Sequence, residues 1–494
     1  MINTIVFSDE ITLWWDKEWD LDDDVYYKVS LNGDTVVTKK THASFKELSP
    51  STAYAVTVAR IEPAAVLFAE TVTTPAAKRR IDVTAAPYFA VGDGVSVNTE
   101  ALQRAINDCG ANDCVYFPKG EFVSGALDLH SDMEIYLAEG ATLKGSSSHK
   151  AYLPKRKSRF EGIEMECYAS LLNIGELDSK SGPNCRNIVI RGAGAILGGG
   201  KELADAITES ERARLADFLA ANEEYVKTCE NNNTIPARAR GRLINISNGE
   251  NVVIAGLRLG YAASWNVHFI YSKDILTYGC HICSRGVWNG DGWDPDSSDN
   301  CVIFDTTFDT HDNSIAIKSG KNPEGNIIGR PNREVRIFDC SGGECMAIGS
   351  EMSGGIEGVY IWDCDFTGGR AGIGIKVTPK RGGYVRNVRV RNCRFVNLRA
   401  RSVTFNDDGE PSGAMSVVED VLFENTVLTG QMLVEGGEHR PTEVLFISGL
   451  DGEENYFRNF TFQGLSIPST ADHQKIQIRN VENLTLSGIS FFEE

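Results

Sequence analysis

A short alternating pattern recurs along most of this chain and confines it to one kind of architecture. The run Val-Val-Ile-Ala-Gly-Leu-Arg-Leu at 252–259 is echoed at 275–280, 302–308, 335–340, 359–366, 388–395 and 421–426. The intervals are roughly 23 to 34 residues, the self-similarity of a solenoid. Each unit alternates apolar and polar residues with the period of a strand, and none carries enough apolar surface to fold alone. Stacking the units closes a core and pairs every strand with the coils above and below it. The expected fold class is all-β, a parallel β-helix. Aligning the units puts Cys280, Thr306, Cys340, Cys364, Cys393 and Thr426 in one column. Small side chains stacked at an internal turn account for that column. Metal ligation does not, because the cysteines come one per coil rather than in pairs.

The repeats do not reach the N-terminus, and 494 residues is long for one compact domain. Over the first 75 or so residues the runs are shorter. Val25–Leu31 leads into Asn32-Gly33, a hairpin signal whose residues tolerate positive φ. The stretch Leu48-Ser49-Pro50-Ser51-Thr52-Ala53-Tyr54 then resembles the fibronectin type III pattern, with Tyr54 at the tyrosine corner of a small β-sandwich. The expected division is residues 1–77 for the sandwich and 78–494 for the β-helix, with Thr73–Arg80 as linker.

The formal net charge of -19 argues against a nucleic-acid partner, which needs a concentrated basic surface. A small acidic substrate stays compatible with a local basic cleft. No apolar run is long enough to span a membrane. The first ten residues lack a basic segment followed by an apolar one, and twelve cysteines in a chain of this size are expected to stay reduced. This predicts a cytoplasmic protein, or a secreted one whose leader has been removed. Oligomeric state is not legible.

A second column carries the chemistry. Trp293-Asp294-Pro295-Asp296, Ile315-Ala316-Ile317-Lys318, Met346-Ala347-Ile348-Gly349 and Ile373-Gly374-Ile375-Lys376 align. With Trp293, Ile315, Ile317, Met346, Ile348, Ile373 and Ile375 facing the core, Asp294, Asp296, Lys318, Gly374 and Lys376 share the outer face. Just before these strands, Asp291 and Asp312 fall on neighbouring coils. Strands about 4.8 Å apart, with the lateral offset, put the two carboxyls about 5 to 9 Å apart, a range that covers both glycosidase geometries. Capping of turns is the ordinary alternative for such residues.

The motifs Asn289-Gly290-Asp291-Gly292-Trp293-Asp294, Asp312 with Ser314–Gly320, Ile348–Gly355, Val115–Gly120 and Glu139–Leu143 resemble glycoside hydrolase family 28, the polygalacturonase-like enzymes. The resemblance covers nearly all of residues 80 to 494 and implies a right-handed parallel β-helix. It implies that Asp312 is the general acid and Asp291 the carboxylate that activates water, in an inverting reaction on pectin-derived galacturonan or rhamnogalacturonan oligosaccharides. Lys376 matches a substrate-binding lysine. Asp294, His311, Asn313, Lys318 and Glu344 are the further candidates for binding substrate. No cofactor or metal is implied.

The sequence departs from the family pattern at four points. Asn-Thr-Asp reads Asn289-Gly290-Asp291, and Gly-Asp-Asp reads His311-Asp312-Asn313. Gly-His-Gly reads Gly342-Gly343-Glu344, and Arg-Ile-Lys reads Gly374-Ile375-Lys376. Asn313 cannot serve as a base. Glu344 is a new carboxylate that is expected either to enter the cleft or to stay on the surface. The missing arginine leaves either a neutral sugar beside the cleavage point or a carboxylate held by Arg240, Arg242, Lys380 or Arg381. Exo cleavage is expected from the cytoplasmic reading, since short oligosaccharides enter a cell and polymer does not. Competing readings are a β-helical polysaccharide lyase and a non-catalytic carbohydrate-binding protein.

Overall fold

The computed structural model of the chain describes residues 1–21, 23–404, 409–434, 437–452, 456–469 and 476–493. Its contacts divide into two compact units, Met1–Arg80 and Ile81–Glu494.

In the first unit, alternation produces two small antiparallel sheets. Ile2–Val6, Glu10–Trp15 and His42–Lys46 form one; Asp34–Thr38, Tyr27–Leu31, Ala53–Arg60 and Ala65–Thr73 form the other. Their inward residues Ile11, Leu13, Trp15, Val29, Val56 and Val58 make a single core. Asn32 and Gly33 both take positive φ, at 50° and 98°, as the hairpin signal requires. Tyr54 is buried, and its hydroxyl accepts the Ser49 N–H at 2.9 Å.

The second unit is a right-handed parallel β-helix. One coil illustrates the rest. Lys273–Tyr278 turns at Gly279-Cys280 into His281–Cys283, a longer loop leads to Trp293–Asp296, and Ser297-Ser298 turns into Asp299–Phe304 of the next coil. Repetition builds, among the described residues, two thirteen-stranded sheets and one eleven-stranded sheet. Equivalent residues pair in register: Ile275 with Cys301, then Val335, Val359, Val388 and Val421. All six are buried in one continuous core.

The two-residue turn explains the cysteine column. Its first position takes positive φ in every coil, at Gly279 (61°), Asp305 (49°), Asp339 (47°), Asp363 (54°), Asn392 (54°) and Asn425 (46°). Glycine, asparagine and aspartate are the residues that tolerate this conformation. The next residue is buried and donates to the carbonyl two positions back. Cys280, Cys340 and Cys364 do so through Sγ at 3.3 Å, and Thr306 and Thr426 through Oγ1 at 2.9 and 3.0 Å. A thiol and a hydroxyl do the same work there, and none of the twelve cysteines is in a disulfide.

A second left-handed column runs through Asn251, Asn300, Asn459 and Asn483. Their side-chain amides bond from coil to coil: Asn251 to Asn187 at 2.8 Å, Asn300 to Asp274 at 2.6 Å, Asn483 to Asn459 at 3.1 Å. The helix Thr99–Asn107 lays Leu102, Ala105 and Ile106 into the core at its first coils.

Candidate active site

Val267–Ile270, Trp293–Asp296, Ile315–Ile317, Met346–Ile348 and Ile373–Val377 lie side by side in the eleven-stranded sheet. Trp293 pairs with Ile315, Ile315 with Met346 and Met346 with Ile373, and all four are buried in the core. The Trp293 indole N–H donates to Thr277 Oγ1 at 3.1 Å, so burial leaves no donor unmet.

The opposite face is not open to solvent, contrary to the expectation from parity alone. Asp294 and Asp296 are fully buried and Lys318 nearly so. A hairpin from far earlier in the chain, Arg156–Phe160 with Ile163–Cys167, covers them. Arg159 reaches Asp296 Oδ1 at 2.7 Å and also donates to the Tyr271 hydroxyl. Phe160 stacks on Trp265 at 4.7 Å, and Lys318 Nζ sits 4.4 Å from the same indole. Burial alone would raise the Asp296 pKa, but Arg159, with His268 and Lys318, outweighs it and holds the group at about 2. Burial pushes Asp294 well above the usual carboxylate range, against the pull of Lys318. Lys318 in turn keeps its proton, because Asp294, Glu351 and Asp291 outweigh its own burial.

Above this buried layer lies a cleft of about 300 Å³. Five of the sequence-predicted residues meet there: Asp291, Asp312, Asn313, Lys318 and Lys376. Asn313 Nδ2 donates to Asp291 Oδ2 at 2.9 Å and to Asp312 Oδ1 at 3.1 Å. Those two oxygens therefore lie no more than about 6 Å apart. Lys376 Nζ donates to Asn313 Oδ1 at 3.0 Å, and Lys318 Nζ lies 3.9 Å from Asp291 Oδ2. Burial, and then the charge of Asp312, pushes the Asp291 pKa up to about 7, with Lys318 opposing. Asp291 Oδ1 is buried and has no hydrogen-bond partner among the described residues.

The other predicted residues stand outside the cleft lining. Asp294 lies in the layer covered by the hairpin. The His311 ring accepts the Gly286 N–H at 3.3 Å. Glu344 does not line the cleft, yet it is not on the surface either: it is buried and clamped by Arg370 and Arg285, each at 3.2 Å. The candidate arginines are scaffold. Arg240 is buried against the carbonyls of Ala237, Ala263 and Trp288, and burial lowers its pKa to about 10. Arg242 donates to the carbonyls of Arg240 and Arg159, and Arg381 to that of Ser350. Lys380 is half-buried and does not line the cleft.

Sequence reasoning missed Glu161, Glu230, Trp265 and Glu351, all of which line it. Glu351 belongs to the Ile348–Gly355 motif and was legible there. Glu161 gave no signal, because the covering hairpin brings it in; Trp265 stands two residues before Val267–Ile270, as Asp291 stands two before Trp293 on the next coil.

The profile of Glycosyl hydrolases family 28 matches residues 159–488. In sequence the chain is 28% identical over 436 residues to an exo-poly-alpha-D-galacturonosidase of Dickeya chrysanthemi, covering 83% of this chain and 72% of that one. Among solved structures it is similar to the family 28 exopolygalacturonase of Yersinia enterocolitica, with TM-score 0.76 at 19% identity over 99% of this chain and 95% of that one. It is also similar to a hyperthermoactive exopolygalacturonase from Thermotoga maritima, with TM-score 0.65 at 24% identity over 82% and 92%. These two likenesses speak for the fold. The profile match spans about two thirds of the sequence and places the chemistry-bearing coils inside it, so the chain belongs to glycosyl hydrolases family 28.

Proposed function

We propose that this glycoside hydrolase releases sugars from one end of galacturonate-containing pectin oligosaccharides, with inversion at the anomeric carbon. The observation that carries the reading is the pair Asp291 and Asp312, joined through one amide in the cleft with Lys376 on the far side of that amide. Two carboxyls flanking a bond suffice for hydrolysis when one gives a proton to the leaving oxygen and the other takes one from water. Asp312 is assigned the first role. Asp291 is assigned the second. Lys318 and Lys376 supply positive charge for a uronate. The exo mode is supported by the Dickeya chrysanthemi relative, itself an exo-poly-alpha-D-galacturonosidase.

One observation favours a second reading, a neutral sugar beside the cleavage point. The cleft lining holds five carboxylates against two lysines, and position 374 is glycine. The deciding experiment is end-product chromatography on oligogalacturonides, rhamnogalacturonan fragments and neutral galacto-oligosaccharides, with Asp312→Asn as control. Release of single terminal galacturonates, and a loss of about 10²–10⁴-fold in the control, is expected. Full turnover by Asp312→Asn, or an unsaturated product absorbing in the near ultraviolet, overturns the acid/base reading. Release from neutral chains alone establishes the second reading in its place.

A further inference from the structure

We propose that Asn313, locked by Lys376, is a positioning residue that fixes which oxygen of Asp312 gives up the proton while its amide steadies Asp291. This rests on the reading of Asp291 and Asp312 as the acid/base pair. An asparagine amide has one accepting end and one donating end, and it can lie either way round. Lysine only donates, so Lys376 Nζ at 3.0 Å fixes Oδ1 on its side and turns Nδ2 toward the carboxyls.

Nδ2 has two hydrogens, and both are used. One goes to Asp291 Oδ2 at 2.9 Å and the other to Asp312 Oδ1 at 3.1 Å. The Asn313 backbone N–H adds a second bond to Asp312 Oδ1 at 2.9 Å. An oxygen that accepts N–H bonds is a poor seat for a proton, so Asp312 carries its proton on Oδ2, and the bond to Asp291 Oδ2 lowers the proton affinity of that carboxyl. The working oxygen of Asp312 is Oδ2. In the forward step water attacks the anomeric carbon and the glycosidic C–O bond breaks. Its electron pair stays on the leaving oxygen, which takes the proton from Asp312 Oδ2, while the proton of the water passes to Asp291. The pair ends with the proton exchanged, and solvent resets it.

An aspartate at 313 would present acceptors where Nδ2 now donates, and would set a third negative charge against the pair. Both effects raise the proton affinity of Asp291. The test is the pH profile of kcat/KM for Asn313→Asp, an isosteric change, beside the parent chain and Asp312→Asn. The acidic limb is expected to move up by about one pH unit or more, with kcat falling while KM stays within about threefold. Lys376→Gln, in which the amide is no longer held one way, is expected to lower kcat without moving that limb as far. A limb that stays in place in a folded Asn313→Asp enzyme overturns the proposal while leaving the pair intact. An active Asp312→Asn overturns the pair itself, and the two failures are therefore told apart.

Discussion

Replacing Arg159 with methionine tests whether the covering hairpin is held down by charge. In the native chain Arg159 and Asp296 are each about 1% exposed and 2.7 Å apart. Without the guanidinium, Asp296 Oδ1 keeps only the Ser297 hydroxyl at 3.3 Å, and Oδ2 has no hydrogen-bond partner among the described residues. Breaking one side of a buried pair costs about 3–5 kcal/mol. The sign with pH follows from the same group. Asp296 is held at about 2 against an ordinary 3.8, which contributes roughly 2 kcal/mol. That contribution is complete above 3.8 and disappears as pH falls toward about 2. In Arg159→Met, burial drives the Asp296 pKa up instead, so the variant gains stability on acidification and its deficit shrinks. Guanidinium unfolding followed by circular dichroism at pH 7 and near pH 4 measures both. Arg159→Met/Asp296→Leu should recover most of the loss at neutral pH. A deficit under about 1 kcal/mol, or one that does not change with pH, would refute the reasoning.

The remaining expectations concern the site and the turns. Because Asp291 sits at about 7 and must be ionised to accept a proton, kcat/KM should climb as pH rises toward neutrality; a decline over the same range would make Asp291 the acid. Glu344→Gln should turn over like the parent chain, since its carboxylate is spent on Arg285 and Arg370, and a large drop in kcat would bring it back into the cleft. Cys364→Thr should change unfolding free energy by less than about 1.5 kcal/mol, because Thr306 and Thr426 already make the same bond to the carbonyl two positions back.

The sequence exposed what repeats and concealed what happens once. Strand register, the inward set from Trp293 to Ile375 and the turn column all follow from a local period read many times over. Asp291 and Asp312 were legible because two adjacent coils display them in nearly the same place. Asp294 and Asp296 lie on the expected face, but with surroundings the repeat does not reveal. Parity says which way a side chain points; it does not say that a hairpin more than a hundred residues upstream will fold over it. The same blindness applied to the arginines. Arg240 and Arg242 have the charge a uronate needs, yet their guanidinium groups are committed to backbone carbonyls that only the folded loop presents. Glu344 was ambiguous for a related reason, since Arg370 and Arg285 come to it from other coils.

The coil-to-coil hydrogen bonds of the second unit all run along the stacking direction, and this gives it a mechanical character. A pull on residues near its two ends loads those bonds in series, so they give way one coil at a time rather than in parallel. The coil from Lys273 to Ser298 holds 26 residues and would pay out about 90 Å of chain as it lets go. Asp291 and Asp312 belong to successive coils, so a single such step between them would end activity while most of the stack stayed folded. The active site would act as a gauge of tension at one rung.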